Sequence, residues 1–216
     1  MAKTGTSSRV ADTGSPRSEG TRRVLIDAAI ETLKVEGYAG ASARAIAERA
    51  GSTQGLVFYH FGSVANLLLA ALDAVSSDRL ERYQAVVAVV GSPSELVDVA
   101  AAIFREDLDA GYVTVLVEMI AGCSSTPGLG AEVAARIGPW FEFAESAVGK
   151  ALGDSPLKSV LPTGDLAYGV VALYLGLEML SHLEGERHRS LALFSHAKQL
   201  AGLFEALNRP TSKETP

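Results

Sequence analysis

Ser52, Thr53, Gln54 and Gly55 stand in a row where a short helix begins, with side chains and backbone suited to recognition by hydrogen bonds. In the first turn of a helix laid in a DNA major groove, side chains face base edges, and Gln pairs well with adenine. Thr53 and Gln54 are the candidates for base readout. Gly55 lets backbone come close, and Phe58 is placed against a thymine methyl or a sugar. Upstream, Arg44 is a candidate for a phosphate or guanine contact. Downstream, the amides behind Ser63 open another helix and offer a phosphate an uncharged site.

Such contacts work only if two short helices hold them rigidly. Ser42 is a plausible N-cap, Ile46 and Ala50 share a face, and Gly51 follows Arg49-Ala50 as a C′ glycine does. Ser52 or Thr53 then caps a second helix carrying Val57, Phe58 and Phe61. Gly62-Ser63 breaks the chain before a third helix, where Leu67, Leu68, Ala71 and Leu72 repeat at helical spacing. Two short helices about a glycine-containing turn are a helix-turn-helix.

The stretch IAERAGSTQGLVFYHFGS closely resembles the DNA-binding signature of TetR/AcrR-type transcriptional repressors, and TRRVLIDAAIETLKVEGYAGASARA fits that family's first helix and loop. The resemblance covers residues 20 to 72, about a quarter of the chain. It implies that Tyr59 and His60 are the aromatic-His pair that meets backbone phosphates. It also implies a homodimer joined through the last two helices, reading palindromic double-stranded operator DNA and released by a small ligand. Two positions depart from the pattern: Phe58 stands where a Tyr is usual, and Val64 where a Lys or Arg usually meets a phosphate.

Composition sets the frame. The 216-residue chain is 48% hydrophobic and 20% charged, as soluble globular proteins are. Its net charge of −6 is unevenly spread: residues 1–62 hold eight Lys/Arg against six Asp/Glu, and the remainder eleven against nineteen. The recognition end is therefore mildly basic and the rest acidic. The lone Cys123 excludes an intrachain disulfide and a multi-cysteine metal site, and fits a reducing, cytoplasmic setting. The uncharged run Ala50 to Leu72 carries Gly, Ser, Gln, His and Asn and is no membrane span, so no membrane partner is expected.

Along the chain, residues 1–19 read as a disordered basic arm, 20–65 as the DNA-binding domain, 66–208 as a helical ligand-binding and dimerisation domain, and 209–216 as a disordered tail. The first helix runs from Thr21 to Glu36 and is ended by Gly37. A long helix occupies residues 63 to about 90. Further helices span Ser94–Ala110, Tyr112–Cys123, Gly130–Leu152 (with a kink or break at Gly138-Pro139), Asp165–Leu183 and Ser190–Leu207, the last two as an antiparallel pair. No strand alternation appears. The class is all-α: an N-terminal three-helix helix-turn-helix domain plus a C-terminal helical domain.

Residues 93–162 are expected to hold a site for a small apolar or amphipathic molecule. Polar stripes, Thr114 and Glu118 on one helix and Tyr174, Glu178 and His182 on another, would put Glu118 or Glu178 among Phe104, Met119, Trp140 and Phe143. Solvent or a dimer seam is the alternative destination of those stripes. Gly169, Ala172 and Gly176 share a face where a second helix can come close, and Leu193, Leu200 and Phe204 belong to a wide apolar face on the last helix. These six are the candidate dimer contacts, with an intramolecular core as the competing reading.

An enzyme would need more than the sequence offers. Cys123 with His182 or His196 is the one nucleophile constellation, and a lone Cys in a helical run usually packs. No metal spacing, Gly-rich phosphate loop or G-x-S-x-G occurs, so no catalytic residue, metal ligand or cofactor is assigned. The other alternative is a helical adaptor or ligand-binding protein whose DNA binding is weak or lost, motivated by Val64 and Phe58.

Overall fold

Apolar residues at helical spacing dictate the architecture. The computed structural model describes residues 16–153 and 155–208, which form nine α-helices, one 3-10 turn and no strand. The chain divides after Ala71 into two compact units.

In the first unit, α1 (Pro16–Gly40) buries Leu25, Ile26, Ala28, Ala29, Thr32 and Leu33, a stripe recurring every three to four residues. The helix starts at Pro16, five residues ahead of the expected start, because proline is pre-shaped for a first helical position and Glu19 favours the positive helix end. Residues 16–19 are therefore helix, not a disordered arm, while the rest of that expected arm and the tail 209–216 lie outside the described residues. Gly37 breaks the helical run as expected, at φ 69°, ψ −179°.

Ser42 caps α2 (Ala43–Arg49) by accepting the Ala45 N–H at 3.2 Å. The turn into α3 (Gln54–Phe61) needs Gly51 at φ 59°, in the left-handed region where a Cβ is costly. Thr53 takes the N-cap position without a side-chain bond, and the Ser52 hydroxyl is buried with no hydrogen-bond partner. After Gly62, Ser63 accepts the Asn66 N–H at 3.1 Å and opens α4 (Val64–Ala88). Leu67, Leu68 and Ala71 of α4 are buried, as are Ile46 and Val57. Arg49 ties α2 to α1: its Nε donates to Thr32 Oγ1 at 3.0 Å, and its Nη2 pairs with Glu36 at 2.6 Å.

The second unit begins at Leu72, later than the boundary at 66 read from the sequence, because Leu67 to Ala71 still belong to the compact first unit. It holds the rest of α4, α5 (Pro93–Ala110), α6 (Tyr112–Gly122), α7 (Leu129–Leu152), the 3-10 turn Pro156–Ser159, α8 (Thr163–Glu184) and α9 (His188–Leu207). Ser92 caps α5 by accepting the Glu95 N–H, with Pro93 next in line. α7 passes unbroken through Pro139, so no break occurs there. Lys150 closes the end of α4 by donating to the carbonyls of Val87 at 2.9 Å and Ala88 at 2.6 Å, a cation at a helix C-terminus.

α8 and α9 are joined at Gly185, φ 67°, and pinned there by the Ser181–Ser190 hydroxyl bond at 2.8 Å. Each packs mainly elsewhere, α8 on α7 and α9 on α5, rather than as a closely packed pair. By length and composition α8 is apolar enough to cross a membrane, and much of its apolar surface is open.

Candidate nucleic-acid interface and ligand cavity

The recognition face follows from how α3 is anchored. Val57 and Phe61, one turn apart, are turned into the core, and Arg22 lies over the Phe61 ring at 5.1 Å. The opposite face is left to solvent: Thr53, Gln54 and Gly55 are exposed, Phe58 is 50% exposed and Tyr59 56%. The His60 ring meets Tyr59 edge-on, 5.0 Å between centroids. Arg44 is exposed on α2, while Ser63 is half-buried with its hydroxyl spent on the α4 cap. Ser52, half-buried with an enclosed hydroxyl, is less available than its neighbours. Val64 leaves the α4 N-terminus with backbone amides and no side-chain cation.

In the second unit, helices α4 to α9 line a partly open cavity of about 480 Å³ with mostly apolar walls. That is the size range of small-molecule sites, about 300–1,000 Å³. Trp140, Phe143 and Tyr174 line it as expected. The other four expected residues do not. Phe104 and Met119 are fully buried in the core, Phe104 reaching the wall only through ring contacts with Tyr174 and Phe194. Glu118 is half-buried off the wall, and Glu178 is 3% exposed behind it. Helical spacing alone did not show what stood opposite each of them. Nor is the site confined to residues 93–162, since α4, α8 and α9 supply much of the wall.

Sequence reading also missed the polar anchor. Asp107 of α5, 1% exposed, pairs with Arg79 of α4 and accepts the hydroxyls of Tyr83 at 2.8 Å and Tyr174 at 2.6 Å. The Arg79 guanidinium carbon lies 4.4 Å from the Tyr112 ring centroid and 5.1 Å from that of Trp140, a cation between aromatic faces. Trp140 itself donates to Ser76 Oγ at 2.6 Å. Two signals were available: Arg79 and Tyr83 are i, i+4 on α4, and Asp107 falls three residues after buried Phe104, in an apolar register where a carboxylate is out of place.

Burial and the neighbouring carboxylate set the protonation of this cluster. Burial, reinforced by the bond to Asp107, pushes the Tyr83 phenol up to about 12, and burial beside the Asp107 charge raises Tyr174 further. Glu178 is pushed up to about 8, first by burial and then by the Asp107 charge, so at neutral pH it holds its proton.

Of the candidate dimer residues, Gly169, Ala172, Leu193 and Leu200 are exposed, whereas Gly176 and Phe204 are half-buried. A Cβ built on Gly169 or Gly176 would meet nothing within 4 Å. Around them stand Leu173, Leu180 and Leu183 of α8 and Leu203 and Leu207 of α9, each more than half exposed. Cys123, the C-cap of α6, donates its thiol to the Met119 carbonyl one turn back at 3.2 Å, and no three-residue cluster suited to a metal occurs among the described residues.

Residues 25–71 match the family model described as bacterial regulatory proteins, tetR family. Uncharacterized HTH-type transcriptional regulators from Mycobacterium tuberculosis and Mycobacterium bovis are 34% identical over 102 residues, 47% of this chain and 52% of theirs. The chain thus spans about half the length of these curated relatives. Among solved structures, the fatty acid degradation regulator FadR from Bacillus halodurans has a TM-score of 0.72 at 13% identity, covering 87% of this chain and 95% of that one. FadR from Bacillus subtilis, solved in complex with stearoyl-CoA, has a TM-score of 0.70 at 15% identity, covering 83% and 96%. A putative TetR-family regulator from Rhodococcus sp. scores 0.68 at 20% identity, covering 86% and 98%. At these identities the structural likenesses speak for the fold.

Proposed function

We propose that this chain, whose residues 25–71 match the family model described as bacterial regulatory proteins, tetR family, is a transcriptional regulator, a repressor, that reads duplex operator DNA through α3 and is released by a small molecule in the α4–α9 cavity. The observation that carries the reading is the division of α3. Val57 and Phe61 lock the helix in place, while Thr53, Gln54, Phe58 and Tyr59 stand free on the other side. Two adjacent, half-exposed aromatics beside polar side chains suit base edges and sugars. Thr53 and Gln54 read bases; Arg44, Tyr59, His60 and the amides behind Ser63 hold phosphates.

The open apolar surface of α8 and α9 is taken by a second copy of the chain, which also accounts for an apolar helix in a protein working in the cytoplasm. A two-fold pair of reading helices then meets a palindromic operator. α4 lends Val75, Ser76, Arg79 and Tyr83 to the cavity wall and begins at Val64 in the reading unit. A ligand that prefers one setting of α4 shifts the population of DNA-competent dimers by its differential affinity. The stearoyl-CoA held by a structural relative supports a lipophilic ligand class here.

Selection of bound fragments from random duplex DNA, followed by salt titration, tests the DNA half. The expected result is an enriched two-fold symmetric sequence bound with strong salt dependence. Absence of enrichment, with only feeble binding at low salt, would favour the adaptor reading, for which Val64 at the α4 N-terminus is the specific motive.

A further inference from the structure

The carboxylate on the cavity wall is already matched within the chain, whereas Arg79 keeps a buried Nε–H without a partner. Asp107 is occupied by Arg79, Tyr83 and Tyr174. Arg136 pairs with Asp73 at 2.8 Å and with Glu132 at 2.9 Å. The aromatic enclosure of Tyr83, Tyr112 and Trp140, which would suit an organic ammonium, is filled by Arg79. Behind the wall, Glu178 is neutral at neutral pH. A cationic ligand would have to expel Arg79 to reach the Asp107 carboxylate, which leaves a buried charge without its partner and is strongly unfavourable. An acceptor need not break that pair, because the Arg79 Nε–H is buried without a partner.

We infer that the cavity takes lipophiles with an uncharged or anionic head and discriminates against cationic amphiphiles with the same hydrocarbon body. The inference rests on the reading of this cavity as the ligand site, and adds the ligand's charge class to it.

Trp140, the single tryptophan of the chain, lines the cavity and reports on its occupancy by fluorescence. The full chain is titrated at neutral pH, below micelle formation, with methyl laurate, laurate and dodecyltrimethylammonium, which share a chain and differ in head charge. Methyl laurate and laurate are expected to bind saturably, with dodecyltrimethylammonium weaker by about tenfold or more, a difference of about 1.4 kcal/mol. Val171→Phe, which fills the cavity without touching a charge, should abolish methyl laurate binding. In Asp107→Asn, where Arg79 loses its counter-charge, laurate should gain on methyl laurate by about tenfold. Dodecyltrimethylammonium binding the wild-type chain as tightly as the ester would overturn the charge selectivity. Binding of no probe, or ester binding unchanged by Val171→Phe, would instead overturn the ligand-site reading itself.

Discussion

Replacing Asp107 with Asn tests the polar anchor of the second unit. The side chain keeps its size, so the change removes a charge without making a hole. Arg79, 11% exposed, is left as a buried cation with no carboxylate, and breaking a buried pair in this way costs about 3–5 kcal/mol. The Asn carbonyl oxygen accepts one of the two bonds now given by Tyr83 and Tyr174, and stranding the other hydroxyl adds about 1–3 kcal/mol. These terms overlap, and a total of about 4 kcal/mol is expected. For a helical unit of this size that lowers the midpoint by about 10–15 °C. Trp140 fluorescence during thermal unfolding follows the affected unit, and the double variant Arg79→Met/Asp107→Asn supplies the comparison. With both charges gone, much of the loss should return, giving a coupling of at least about 2 kcal/mol across the cycle. A single variant within about 1 kcal/mol of wild type, or a double variant losing the sum of both singles, would refute the claim that this ion pair organises the cavity.

Glu178 makes stability depend on pH. Its folded value of about 8 lies above the ordinary 4.5, so between those values the native chain holds a proton the unfolded chain has released. Stability therefore falls as pH rises through that window and levels off above it; Glu178→Gln should flatten melting temperature against pH, with Asp107, Arg79, Tyr174 and Arg187 left as the groups around it. Val64→Lys should steepen the slope of log K against log[salt] for DNA binding by about 0.9, and an unchanged slope would mean that no phosphate sits there. Gln54→Ala should weaken binding to the selected sequence by about 1–3 kcal/mol with the salt slope preserved; equal weakening on all sequences would place Gln54 on the backbone instead. Leu200 is 67% exposed, so Leu200→Glu should leave folding nearly intact while shifting sedimentation equilibrium toward the single chain; an unmoved dimer would put the seam elsewhere.

The helix-turn-helix was legible because its determinants are local. Ser42 caps, Gly51 turns, and Val57 and Phe61 sit one turn apart, all within twenty residues. The helical class was equally legible from spacing. The start of α1 was missed because Pro16 and Glu19 lie in a polar stretch where only the propensities of a first turn argue for helix. The cavity was half legible. Trp140, Phe143 and Tyr174 announce themselves as large apolar surfaces, whereas Arg79 and Asp107 lie 28 positions apart and meet only once α4 and α5 are packed. Glu118 and Glu178 show the converse: a polar residue on an apolar helix marks a face, and tertiary packing decides whether that face meets a cavity, the core or a second chain.

The open leucines of α8 and α9 also bear on gene dosage. If reading heads act only in pairs, and Leu183 at 81% and Leu207 at 85% exposure wait for a second copy, then at low abundance the active species grows as the square of the number of chains made. Halving expression would then cut operator occupancy about fourfold rather than twofold, by mass action. A cell that kept this regulator scarce would turn small changes in its synthesis into large changes in output, before any ligand arrived.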